Sequence, residues 1–356
     1  MTSPEQEKRY ISKRVGRNVF SAPPKVSVII PAYNAAEYIS ETLDSVVAQK
    51  FREHEIIVVN DGSPDTPKLE RAIKMRLDDI TYIKQRNTGA GMARNTGIAH
   101  ARGDIIAFLD ADDVWLPEYL ASQYIFLERH GHDMVYCDAL LFGTRSPYRR
   151  TFMETSPSHG EADFDALLDL RCHVITSGTM ARRQSLIKAG LFESERVQAE
   201  DFNLWLRMAR SGAKIAYQRK PLLKYRVHPN GLSGGTIDQV ERAIDAFSRV
   251  NWTFDLTERQ RRSVEKRLAG LESEMAIERG KAMLLRGEFR DAAKSFNLAN
   301  SYRRSVKMAA IGLMARVAPR TLVKIYRSNR SAEIPFLSRE SESVGSVAAA
   351  TGMHSR

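Results

Sequence analysis

Apolar and polar positions change period along this chain, and the changes divide it. Residues 26–30, Val26-Ser27-Val28-Ile29-Ile30, form a short apolar run stopped by Pro31. Runs at 55–59, 80–84 and 105–109 read as strands of the same kind. Between them, residues 37–48 carry Ile39, Leu43, Val46 and Val47 at helical spacing. Residues 67–76 and 90–101 also read as helices, the second built largely of small side chains. Strands separated by helical stretches need crossovers and predict a mainly parallel sheet flanked by helices. Continuous β-branched runs predict that both faces of that sheet are covered.

The pattern loosens after Asp113. Helices are expected over 117–129, 163–170, 184–189 and 200–210, and strands over 134–137, 175–181 and 222–227. Residues 143–160 read as a polar loop, and the Gly- and Ser-rich residues 228–235 as a mobile one. From 237 to 330 everything reads as helix. Gly287, Phe289, Ala292, Phe296 and Ala299 are spaced like half of a tetratricopeptide unit. One repeat does not make a solenoid, so a plain helix hairpin is the expectation. The expected layout is a disordered basic arm at 1–24, an α/β domain at 25–235, a helical region at 236–330 and a disordered tail at 331–356.

A length of 356 residues fits about two domains. Cys137 and Cys172 show no metal-type spacing, which suits a reducing cytosol rather than a disulfide scaffold. No run is long and apolar enough for a spanning helix, so the expected location is the cytoplasm. The net charge of +11 favours anionic partners. It is concentrated: residues 301–330 carry Arg303, Arg304, Lys307, Arg316, Arg320, Lys324, Arg327 and Arg330 and no acid. Only Tyr302 and Tyr326 lie among these bases, too few for a stacking platform, so nucleic acid is not the expected partner. Apolar faces beside them read either as contact with an anionic membrane, at the inner face of the cell membrane, or as a packed bundle with a solvated basic side.

The richest chemistry lies at strand ends. Asp110-Ala111-Asp112 follows the apolar run 105–109. Two carboxylates at i and i+2 there can face one cleft and bind a hard divalent cation bridging to a diphosphate. Asp113 reads instead as the cap of the next helix. Asp61 follows another strand, where ligands of open parallel sheets bind, although Asp61-Gly62-Ser63 alone reads as a turn. Asn87 and Gly89 open a glycine-rich helix start that contains Arg94 and offers free N–H groups to an anion. Its glycine spacing is neither that of a P-loop nor of a dinucleotide fingerprint. Glu200 and Asp201 begin an amphipathic helix, where acids suit the helix dipole but can also serve as a base. Arg226 and His228 precede a glycine loop; Arg226 is expected at the nucleotide donor, and His228 could ligate the metal or contact phosphate.

Taken in order, residues 26–34, the run Val58-Val59-Asn60-Asp61-Gly62-Ser63, residues 87–97 and the run Phe108-Leu109-Asp110-Ala111-Asp112-Asp113 resemble family 2 glycosyltransferases of the GT-A fold. Residues 177–182, 190–192, Glu200-Asp201 with Trp205, and 225–228 extend the resemblance over about 25–235. It implies inverting transfer of a sugar from a nucleoside diphosphate donor, usually a uridine one. It also implies roles for particular residues. Pro31, Tyr33 and Asp61 would hold the nucleobase and ribose, with Glu37 nearby, and Arg94 would lie close to the donor. Asp110 would contact ribose or metal-bound water, Asp112 would ligate Mg²⁺ or Mn²⁺, and Asp201 would be the base. The implied acceptor is a hydroxyl of a surface glycan or a lipid-linked glycan. Processive members carry a Gln-x-x-Arg-Trp motif and membrane helices; neither is seen here, so single-sugar addition is expected. Sugar-phosphate nucleotidyltransferases should show a Gly-rich signature with Lys near the first strand, where Pro31-Ala32-Tyr33-Asn34 stands. A non-catalytic scaffold acting through the helical region is the remaining alternative, and intact Asp61, Asp112 and Asp201 argue against it.

Overall fold

A computed structural model of the chain describes residues 12–16, 23–143, 150–193, 199–228 and 236–330. Residues 229–235 of the expected mobile loop at 228–235, most of the arm and the tail at 331–356 lie outside the described residues, as does part of the 143–160 loop.

The apolar runs form the middle of a nine-stranded sheet of order β1-β4-β3-β2-β5-β8-β7-β9-β6. Strands β2 (Val26–Ala32) and β3 (His54–Asp61) are buried along almost their whole length, as two-sided coverage requires. They pair in parallel with Val28 opposite Ile56, and β2 pairs in parallel with β5 (Ile105–Phe108) through Ile29 and Phe108. Parallel character also holds between β3 and β4 (Thr81–Gln85). Beyond β5 the sheet is mixed. Strand β8 (Thr179–Arg182) runs antiparallel to both β5 and β7 (Met134–Phe142), while β7 and β9 (Ile215–Arg226) are parallel. The short β6 (Val114–Trp115) closes that edge antiparallel to β9.

This order creates the cleft. The chain winds outward from β2 through β3 to β4, then returns to the other side of β2 as β5. Crossovers therefore diverge between β2 and β5, and the gap lies beyond the carboxyl ends of these strands. Tyr33 follows β2, Asp61 ends β3, and Asp110 lies just past β5. The helix Ala90–His100 packs close to β2 because Gly97 has no side chain; a Cβ there would collide with Ile29 Cγ2.

Several expectations change. The arm is not wholly disordered: β1 (Ser12–Val15) pairs antiparallel with β4, Lys13 opposite Ile83. All four of its side chains are exposed, so it leaves no apolar signature, and its Lys and Arg suit an open sheet edge. Strands β7 and β9 are longer than the apolar runs 134–137 and 222–227. Their register shifts at Cys137 and Asp138, with Asp138 opposite Pro221, so pairing continues past a proline that breaks the pattern. The run 175–181 begins as a 3₁₀ turn, Thr176–Gly178, before β8. The helix expected over 67–76 ends at Ala72 and gives way to a 3₁₀ turn, Lys74–Arg76.

The chain forms two compact units, and they do not divide at residue 235. Among the described residues, those up to 228 together with 242–266 form the first; 236–241 and 267–330 form the second. Helices Thr236–Thr253 and Glu258–Arg286 each contribute to both. Within the first unit, Phe247 packs on Phe202 at 5.3 Å and Phe254 on Phe164 at 5.1 Å. Gln260 Nε2 donates to Asp165 Oδ1 at 2.7 Å. The described elements of the second unit are all helices, with Leu284, Ala292, Ala293, Phe296, Ala315 and Leu322 in its core. Gly280 lies beneath the Phe296 ring, where a Cβ would meet Cε1 at 2.7 Å.

Gly97→Ala should lower stability by about 1–2 kcal/mol, because overpacking against Ile29 outweighs the added helix propensity. Gly270→Ala, where the new Cβ meets open space, should raise it by about 1 kcal/mol. Urea unfolding of both variants reads the contrast; equal effects would show that the helix does not approach β2 this closely.

Candidate active site

The acid turn after β5 is braced from every side. Asp113 N donates to Asp110 O at 3.1 Å and closes the turn. Asp110 N donates to Ser177 Oγ at 3.1 Å. Thr42 Oγ1, from the helix Ile39–Val47, lies 2.9 Å from both Ala111 O and Asp113 O. Trp115 Nε1 donates to Ser177 O at 2.8 Å. From the end of β9, Arg226 gives its backbone N–H to Asp113 Oδ1 at 2.8 Å and its Nε to Asp112 O at 2.7 Å. Its remaining charge meets Glu41 and the faces of Tyr38 and Phe142. Arg226, expected at the donor, is therefore engaged in holding the turn.

Arg94 joins the turn to a distant helix. Only 5% exposed, it donates through NH2 to Asp110 Oδ1 at 2.7 Å and through NH1 to Glu200 Oε1 at 2.8 Å. Burial opposes its charge, but Asp110, Glu200 and Asp201 outweigh that and hold the guanidinium's pKa above its ordinary value. Burial raises the Glu200 pKa, and Arg94 opposes the rise. Gly91 allows this approach, since a Cβ there would lie 2.8 Å from Glu200 Cγ. Asn95 on the same helix fixes the next segment, its amide exchanging hydrogen bonds with the Phe192 backbone at 2.8 and 3.0 Å.

Asp201 opens the helix Glu200–Arg210, after Ala199 in the left-handed region at φ 57°. Its Oδ2 accepts from Thr176 Oγ1 at 2.6 Å and its Oδ1 from Phe202 N at 2.8 Å. It borders a cavity of about 130 Å³ lined also by Phe152, Cys172, His173 and Trp205.

Asp61, 3% exposed, is spent on the glycine loop. Gln85 Nε2, Thr88 N and Thr88 Oγ1 donate to Oδ1 at 2.7, 2.9 and 3.2 Å, and Gly89 N donates to Oδ2 at 2.8 Å. Hydrogen bonds to a charged group are worth about 1.5–3 kcal/mol each, so this carboxylate sets the loop's course. Gly89 has φ 95°, a value favouring glycine. Asn87 lies against Gly62, where a Cβ would meet Asn87 N at 2.5 Å. Pro31 pairs with Val59 at the end of β2, and Tyr33 beyond it is 49% exposed. Glu37 is exposed, and its carboxylate meets the Tyr38 hydroxyl rather than the acid turn.

His228 Nε2 faces Asp112 Oδ2 at 3.1 Å, and its ring lies 5.0 Å from that of Tyr38. Its Nδ1 is buried with no hydrogen-bond partner. Among the described residues no group of three or more His, Cys, Asp or Glu is arranged to hold a metal. A pair is nonetheless compatible with Mg²⁺ or Mn²⁺, which take few protein ligands beside phosphate oxygens and water. The charge of the turn fits a cation as well. Burial, then Asp110, raises the Asp112 pKa, with His228 opposing, and burial, then Asp112 and Asp110, pushes that of Asp113 well up. Carboxylates crowded in this way are short of positive charge.

Asp110, Asp112, Arg94, Glu200, Arg226 and His228 thus form one connected group, and Asp201 adjoins it through Thr176, next to Ser177. Asp61, Asn87 and Gly89 form a second group, with Tyr33 at the neighbouring strand end. Sequence reasoning missed Thr42 and Thr176 and assigned no role to Ser177. The available signal was small polar residues inside apolar runs, and Ser177 is fully buried.

The fold is that of GT-A glycosyltransferases. The mannosyltransferase PcManGT of Pyrobaculum calidifontis, solved with GDP-Man and Mn²⁺, matches it with a TM-score of 0.55 at 22% identity, over 89% of this chain and 86% of that one. The S. aureus TarS 1–349 structure in complex with UDP-GlcNAc matches at 0.53 and 21%, over 86% and 92%. The Glycosyl transferase family 2 profile matches residues 27–191. An uncharacterized glycosyltransferase of Rickettsia typhi is 31% identical over 229 residues, 63% of this chain and 70% of the relative. The chain belongs to glycosyltransferase family 2.

Arg94→Met leaves Asp110 and Glu200 without their shared cation and should destabilise the fold by about 3 kcal/mol. The value is at the low end for breaking a buried pair, because Asp110 is one-third exposed and can hydrate. Arg94→Lys cannot bridge both carboxylates and should recover only part of the loss. Urea unfolding checks both; a neutral Arg94→Met would mean the bridge does not hold the site.

Proposed function

We propose that the protein is an inverting glycosyltransferase moving one sugar from a nucleoside diphosphate sugar, a UDP-sugar, to a hydroxyl of a surface polysaccharide or glycolipid acceptor. The observation that carries this is the Asp110–Arg94–Glu200 bridge, which ties the acid turn to the start of the helix that bears Asp201. The cleft opens at the strand ends where α/β sheets bind nucleotides.

Inversion needs a single in-line displacement. Asp201 takes the proton of the acceptor hydroxyl, whose oxygen attacks the anomeric carbon. The bond from that carbon to the diphosphate oxygen breaks, and the nucleoside diphosphate leaves. Thr176 and the Phe202 N–H orient the Asp201 carboxylate, and Oδ2 retains a lone pair for the incoming proton. Glu200, paired with Arg94, positions the start of this helix. A divalent cation held by Asp112 and His228 would neutralise charge on the departing diphosphate. Tyr33 offers an exposed ring to the base beside Pro31, with Glu37 at the margin. Asp61 holds the loop from Asn87 to Gly89, and Oδ2, with its single hydrogen bond, has a lone pair left for base or ribose. Asp110, anchored by Arg94, would contact the ribose or a metal-bound water. Two solved relatives with nucleotide sugars bound support the donor class.

A nucleotide-sugar panel with Mg²⁺ or Mn²⁺ tests this by donor binding and turnover. Asp201→Asn should keep donor binding and lose on the order of 10²–10⁴ in turnover. Asp112→Ala should lose the metal dependence of donor binding. Failure of every nucleotide sugar to bind the unaltered protein would overturn the proposal.

A further inference from the structure

The helix Val306–Val317 is apolar on both sides. Met308, Ile311, Met314 and Ala315 pack into the core of the second unit. On the other side Val306, Ala310, Leu313 and Val317 recur at i, i+4, i+7 and i+11, one stripe of an α-helix. Val306 is 90% exposed, Leu313 59% and Val317 71%. A helix apolar all round belongs in a core or in lipid. Half of this one has a core; the other half faces outward.

The rim of the stripe is basic. Arg303, Arg304, Lys307, Arg316 and Arg320 are exposed around it, and no acid occurs from Ser301 to Arg330. A shallow groove of about 530 Å³, lined by Asn297, Asn300, Ser301, Arg304 and Ser305, opens beside Val306. Its amides, hydroxyls and guanidinium are donors of the kind a phosphate headgroup accepts from. Cations flanking an apolar stripe match a bilayer interface, where the stripe enters the acyl boundary and the bases meet anionic headgroups.

We propose that this face binds the surface of an anionic membrane, with Val306, Leu313 and Val317 inserted and the basic rim on the headgroups. A second copy of the chain fits less well, because pairing the same face would bring like charges together without an acid to relieve them. The surface lies wholly within the helical unit and does not depend on the reading of the carboxylate cleft.

Flotation of the full chain tests this with vesicles of phosphatidylcholine alone and of phosphatidylcholine mixed with phosphatidylglycerol. The unaltered protein should float with the mixed vesicles, in a salt-sensitive manner, and not with the neutral ones. Leu313→Asp with Val317→Asp, and separately Arg303→Ser with Arg304→Ser and Lys307→Ser, should each weaken binding by at least about tenfold. Unchanged circular dichroism would show that these surface variants remain folded. Equal flotation of the folded variants, or no binding of the unaltered protein to mixed vesicles, overturns the proposal. So does a dimer in sedimentation that Leu313→Asp abolishes while neither form binds vesicles, since the stripe would then join two copies.

Discussion

A buried guanidinium shared between two carboxylates organises the catalytic unit. Arg94 is on the helix that Gly97 lets down onto β2, Asp110 follows β5, and Glu200 begins a helix over a hundred residues later. A charge with so little exposure cannot be left without partners. Its position therefore constrains all three segments together. The neighbouring contacts serve the same geometry: Gly91 makes room for Glu200, Asn95 pins the Phe192 backbone, and Phe192 packs edge-on against Phe108 at 5.4 Å. Trp205, from the Glu200 helix, completes the aromatic contact with both rings.

The acid turn shows how a rigid frame can hold mutually repelling groups. Asp110, Asp112 and Asp113 crowd one another, and burial pushes Asp112 and Asp113 upward in pKa. What keeps them in place is neutral or cationic bracing through the backbone: Thr42, Ser177 and Arg226 hold carbonyls and amides of the segment. The side chains of Asp112 and His228 are left facing each other, and this is the arrangement on which the proposed cation site rests. Arg94 and Arg226 resemble ligand contacts in sequence, yet both are occupied by protein groups. In the proposed reaction they position other residues.

Much of the fold is legible in the order of residues. The runs at 26–30, 55–59 and 105–109 are buried strands, because a strand covered on both faces must be apolar throughout. The helix at 200–210 is legible to its last residue, since one apolar face and acids at its start leave little ambiguity. Strand β1 leaves no trace in the pattern because its pairing is carried by backbone groups alone. The full lengths of β7 and β9 are hidden by Asp138 and Pro221, whose register shift only a partner strand can accommodate. The boundary expected near 235 fails because Gln260 and Phe254 return to the first unit through contacts on Asp165 and Phe164.

The sequence by itself determined most of the strands and helices, the carboxylates at the strand ends and the family to which the chain belongs. These depend on local periodicity and on short motifs whose residue types the chemistry demands. Tertiary structure alone decided which candidates meet. Asp110 finds Glu200 through Arg94, Asp201 finds Thr176, and His228 finds Asp112, each across many residues of chain. It also decided that Val306, Leu313 and Val317 face outward while Ile311 and Met314 face the core. The physical reason is the same in both cases. A pattern along the chain states what a residue can do, whereas burial and the available partners decide what it does.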